Sequence, residues 1–163
     1  MNNDAIVKEC ERQEESCLYS SATLFEYAKS LRLWRFVFVV APIVLGAFAS
    51  WQLIGQDPDW KWITGSAALL AGVLPAIYKA LDFDVNIESV TKSANAFKAL
   101  QDRFRQARTI DQAMEPEKLR EVLAKLMDGM DTVRAASPVA PERFFKDAQK
   151  KIASGAYAFK ADK

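Results

Sequence analysis

Six cations toward the C-terminal end are the side chains best suited to act on a ligand. Arg103, Arg105 and Arg108 fall within RFRQAR, and Lys146, Lys150 and Lys151 within KDAQKKI. Guanidinium forks match the oxygens of phosphate or carboxylate, so clusters of this type suit capture of an anion rather than bond making. Solvation of a charged helix face accounts for the same residues, and both readings stay open. Arg103, Arg105, Arg108, Lys150 and Lys151 form the candidate binding set. Reaction chemistry has little to work with. Histidine is absent, which removes the commonest general base and the commonest metal ligand. There is no Gly-rich phosphate loop, nucleophile elbow or Cys/His metal spacing. Glu14-Glu15 and Glu115/Glu117 sit in charged helical sequence, where solvated faces explain them. No catalytic residue, metal or cofactor is expected. Cys10 and Cys17 stand one heptad apart and share a helix face. They lie about 10 Å apart along the axis, too far to bridge within a chain. Semi-buried thiols in a reducing compartment are the simple reading, and a disulfide between chains is the alternative.

The elements that carry these residues are helices. Gly and Pro number six each in 163 residues, too few for a turn-rich β fold, and long stretches consist of good helix formers. The fold class is all-α. Net charge of +1 and mean hydropathy of −0.09 suit a soluble protein, but they average an apolar middle with two charged flanks.

That middle reads as a transmembrane hairpin, residues 36–79. Residues 36–55, FVFVVAPIVLGAFASWQLIG, contain no charge and as a helix span about 30 Å, the thickness of a bilayer's hydrocarbon core. Residues 62–78, WITGSAALLAGVLPAIY, reach roughly 25 Å. The turn between them, residues 56–61, holds Asp57 and Asp59 against Lys61. Trp34, Trp51, Trp60 and Trp62 fall at or near the ends of the spans and Tyr78 closes the second, as in an aromatic belt. Lys29, Arg32 and Arg35 precede the first span and Lys79 follows the second. By the positive-inside rule both termini face the cytoplasm. A cleaved signal peptide fits poorly behind some 35 largely polar residues. Gly46 and Ser50 are four apart, and Gly65, Ala68, Gly72 and Ala76 form a small-residue stripe. Such residues pack either the two spans on each other or one subunit on another. Pro42 and Pro75 each remove a backbone hydrogen bond and are candidate bends.

On the N-terminal side, residues 1–35 form a cytosolic helix. Val7, Cys10, Cys17, Leu24, Ala28 and Leu31 make a heptad seam that Glu14 and Ser21 interrupt. Residues 80–163 form a cytosolic helical domain. Phe83, Ile87, Val90, Ala94, Phe97 and Phe104 line one face of a helix over residues 84–108, with Asp82 or Asp84 as N-cap. Pro116 opens the next helix, whose apolar face is Leu119, Val122, Leu123, Leu126, Met130 and Val133. Ser137-Pro138 and Pro141 stop it, and PERFFKDAQKKI starts a last short helix.

This order, together with the closing segment over residues 144–159 that contains AQKKIASGAYAF, resembles the bacterial SLATT family. Those are two-transmembrane effectors associated with nucleotide-generating and nucleotide-sensing defence systems. The resemblance covers residues 14–159. It implies an inner-membrane, pore-forming effector of anti-phage abortive infection, controlled by a nucleotide-type signal such as a cyclic or linear oligonucleotide from a cognate synthesising enzyme. The family contributes no catalytic residues. Two helices cannot enclose a pore, so an ion path requires a homo-oligomer of four or more chains. Ser50, Gln52, Thr64 and Ser66 are the polar groups available to line it. The alternative is an anchored interaction protein that recruits a partner without transport.

Overall fold

The structure, a computed structural model, describes residues 3–55 and 61–157, with backbone alone for residues 52–55. Its elements are α1 (Asn3–Gly55), α2 (Lys61–Ala80), α3 (Phe83–Thr109), a 3₁₀ turn (Asp111–Ala113), α4 (Pro116–Ala136) and α5 (Glu142–Ala153). Among the described residues there is no strand, and the chain is all-α as expected.

The expected division at residue 35 is one of composition only. Nothing between Asn3 and Ala41 is Gly or Pro, so α1 runs unbroken for 53 residues, about 80 Å at 1.5 Å per residue. Pro42 and Pro75 sit inside α1 and α2, and neither ends its helix. The chain divides into two compact units, Met1–Ala28 with Glu88–Lys163, and Lys29–Ile87.

In the first unit the N-terminal half of α1 meets each of α3, α4 and α5. Ile6, Cys10, Gln13, Cys17, Leu24 and Ala28 are buried along it. The seam therefore begins at Ile6, and Val7 lies beside it, half-buried. Both expected interruptions are buried as well. Ser21 donates its hydroxyl to the Leu18 carbonyl at 3.0 Å, and Glu14 takes partners from α3. On α3, Val90, Ala94, Phe97 and Phe104 are buried, and Gln101 fills the gap in the stripe with Lys98 donating to it at 3.0 Å. Cys17 Sγ lies 3.9 Å from Met130 Sδ of α4. On α4, Leu119 and Met130 are fully buried, and the rest of the expected face is half-buried.

Adjacent Phe144 and Phe145 of α5 reach Tyr27 and Tyr19, with ring centroids 5.1 and 6.1 Å apart. Those partners stand eight residues, about 12 Å, apart on α1, so α5 crosses α1 rather than running along it. A C-terminal stop ends α5. Ala156 N–H donates to Lys151 O, Gly155 N–H donates to Ile152 O, and Gly155 has φ +78°. This is a Schellman motif, in which glycine avoids the Cβ penalty of the left-handed region. It gives the Ser-Gly of AQKKIASGAYAF a structural purpose.

In the second unit α2 follows the membrane-length part of α1, and a two-residue turn at Leu81-Asp82 leads into α3. Asp82 takes φ +44°, a left-handed conformation that Asp tolerates better than most residues. Asp82 thus stands just before the first residue of α3, while Asp84 turns its carboxylate to α1 and α2.

Candidate functional site

Two helices, α1 and α2, are long and apolar enough to cross a membrane. Their apolar side chains face outward, and within the most apolar stretch of each helix 6% of residues are buried. Trp51 is 77% exposed and Trp62 73%. Ile43, Val44, Leu69 and Val73 are exposed too, whereas the core helix of a soluble protein would bury such residues.

Among the described residues of the spans, the buried ones are Ala49 on α1 and Ala67 on α2. Both carry small side chains. The glycine stripe is elsewhere: Gly65, Ala68, Gly72 and Ala76 are all exposed. A Cβ added at Gly46, Gly65 or Gly72 would meet nothing within 4 Å. Among the described residues of one chain, the stripe is therefore not packed against the other span. Of the polar residues expected to line a path, Ser50 and Ser66 are exposed and Thr64 is half-buried. Ser50 and Ser66 donate their protons within their own helices, to Gly46 O and Trp62 O at 2.9 Å. Their oxygen lone pairs stay available to an ion or water. The side chain of Gln52 lies outside the described residues, as do Asp57, Asp59 and Trp60.

The cations of the candidate binding set do not converge. Arg105 and Arg108, one turn apart on α3, both close on Glu14 of α1, with Nε–O distances of 2.9 and 3.0 Å. Lys151 of α5 meets Glu26 of α1 at 2.6 Å. Glu14 and Glu26 are twelve residues apart, about 18 Å along α1, so one phosphate cannot span both anchor points. Arg103 and Lys150 are exposed. Lys146 is exposed and pairs with Glu142 at 2.8 Å within α5. The sequence did hold a clue to this arrangement. A carboxylate that interrupts an apolar seam must find a cation, and Arg105 and Arg108 are spaced to supply two.

A groove of about 610 Å³ lies between α1, the end of α4 and α5, lined by Ser16, Ser20, Thr23, Arg134, Phe145 and Gln149 among others. Much of its polarity is already committed. Ser20 donates to Ser16 O at 2.9 Å, Thr23 donates to Tyr19 O at 2.7 Å, and Arg134 lies 3.7 Å from Asp131. Cys10 and Cys17 are fully buried free thiols. Burial pushes both thiols up, Cys17 to about 11. A disulfide between chains would require this unit to open. Among the described residues no three Cys, Asp or Glu gather as metal ligands would.

Comparisons with family models, with curated proteins and with solved structures find no match for this chain.

Proposed function

We propose that this protein is a membrane effector whose hairpins insert in the bacterial inner membrane and assemble into an ion-conducting pore. The observation that carries the reading is the surface of the spans. Both are apolar outward, and the small-residue stripe of α2 is exposed among the described residues. Lipid is the natural cover for the Ile, Leu, Val and Trp surface. Small residues gain little from lipid, but they let helix backbones approach closely, so the stripe suits contact between copies. With two spans per chain, four or more copies are needed to surround a path, and Ser50, Thr64 and Ser66 are polar groups that suit its lining. The Lys/Arg bias of the flanks supports an orientation with both termini in the cytoplasm.

The resemblance to two-span defence effectors extends this to abortive infection under control of an oligonucleotide signal made by a cognate enzyme. The binding set then works by exchange. A phosphate that draws Arg105 and Arg108 away leaves Glu14 buried without its counter-charges, which costs about 3–5 kcal/mol. The ligand would thus bind more tightly to a state in which α1 has moved relative to α3, and that difference in affinity shifts the equilibrium. Membrane potential and dye entry in expressing cells test the pore. Depolarisation on expression supports it, and an intact potential in cells with abundant inserted protein favours the anchored interaction protein. Calorimetric titration of the purified oligomer with cyclic and linear oligonucleotides tests the control. Binding that Arg105→Glu with Arg108→Glu leaves unchanged places the signal elsewhere.

A further inference from the structure

One carboxylate ties together three helices at the end of the hairpin remote from its turn. Asp84 is the second residue of α3. Its Oδ1 lies 3.1 Å from Arg35 Nε of α1, and its Oδ2 accepts a hydrogen bond from the Tyr78 hydroxyl of α2 at 2.7 Å. The rings around this point also converge. Phe83 stacks on Tyr78 with centroids 5.7 Å apart and planes 13° apart, and it lies 5.4 Å from Phe38. The turn that delivers Asp84 is strained, since Asp82 has φ +44°. Asn86 secures that turn by donating to Leu81 O at 3.0 Å.

We infer that Asp84 is a latch that fixes the two spans relative to each other, and that its release is what frees them to move. Both charged partners are about half exposed, with side-chain accessibilities of 52% for Arg35 and 58% for Asp84. Exposed pairs are weak, and weakness is what a reversible contact requires. An acidic residue in the first turn of a helix also complements the helix dipole, which by itself would explain Asp84 without any latch. Exchange of the charges separates the two explanations. Arg35→Asp with Asp84→Arg rebuilds the ion pair but places a cation at the helix N-terminus.

The conformational part stands on contacts within the hairpin unit, and its consequence for ions rests on the proposed pore. The test therefore reads both. Full-length protein carrying Phe38→Cys with Phe83→Cys, in vesicles of phosphatidylethanolamine and phosphatidylglycerol, is treated with a short bis-maleimide, and potassium efflux is followed without the cross-linker. Asp84→Asn should lower the cross-linked fraction and raise efflux roughly fivefold, the ratio equivalent to about 1 kcal/mol. Tyr78→Phe, which keeps the ring at position 78 and removes one hydrogen bond, should act in the same direction but less. The charge exchange, which rebuilds the ion pair but not the Tyr78 hydrogen bond, should restore both readouts to about the level of Tyr78→Phe. An unchanged cross-linked fraction in Asp84→Asn overturns the latch, and so does failure of the exchange to restore it. A lowered and restorable cross-link without efflux from any form upholds the latch and overturns the pore.

Discussion

Replacement of Glu14 by glutamine tests how the helices of the first unit are held. Its side chain is 11% exposed and receives two guanidinium groups at 2.9 and 3.0 Å. Glu14→Gln keeps the shape and removes the charge. Arg105 and Arg108 are each about one-third exposed, so water can take over their lost partner. The expected cost is about 2 kcal/mol, the range for hydrogen bonds to charged groups. The converse change is worse. Arg105→Leu with Arg108→Leu leaves a buried carboxylate alone, which costs about 3–5 kcal/mol. Removing all three charges with apolar residues of similar size should fall back toward neutral, because no charge is then stranded. Cys17, one turn from Glu14 and fully buried, is the reporter. In a Cys10→Ala background, its maleimide labelling follows opening of this unit, so 2 kcal/mol appears as about a thirtyfold faster rate. A rate change below about threefold for Glu14→Gln would refute the reasoning. A smaller effect from the double arginine change than from Glu14→Gln would refute it equally.

Gly72→Leu should leave the hairpin folded, because an added Cβ meets nothing within 4 Å, yet lower the subunit count measured by light scattering in detergent. Ala67→Leu should instead damage the hairpin itself by about 1–3 kcal/mol, seen in its thermal melt, because Ala67 is buried. The Cys17 thiol is raised from 9.0 to about 11, so the unfolded chain ionises first as pH rises. The contribution of Cys17 to stability should therefore be constant below pH 9 and fall by about 2 kcal/mol between pH 9 and 11, so the alkaline loss in denaturation of Cys17→Ala should be smaller by that amount. A cysteine replacing Asp59 should react with an impermeant thiol reagent from outside intact cells, and one replacing Lys92 should not; the reverse pattern inverts the topology.

Helix boundaries were legible wherever proline or apolar spacing marks them. Pro116 and Pro141 open or precede α4 and α5, and α3 differs from the expected residues 84–108 by one residue at each end. The division at residue 35 follows a change from polar to apolar composition, which is not a helix breaker, so α1 continues through it. The start of the seam at Ile6 instead of Val7 was hidden because adjacent aliphatic residues fit one heptad almost equally well. For the candidate site, residue type was readable and pairing was not. RFRQAR announces cations, but that two of them meet Glu14 depends on contacts 91 and 94 residues apart. The small-residue stripe was plain in the sequence. Its outward position was not, since Ala67 stands next to Ala68 and only packing decides which of them is buried.

The proposed function requires that assembled hairpins pass ions. Purified full-length protein in phosphatidylethanolamine and phosphatidylglycerol vesicles, with potassium efflux recorded beside the Gly72→Leu form, tests it most directly. Efflux above that of empty vesicles is expected for the native chain, alone or with an oligonucleotide, and a marked loss for Gly72→Leu. Native protein that inserts fully yet leaves efflux at the level of empty vesicles under both conditions contradicts it.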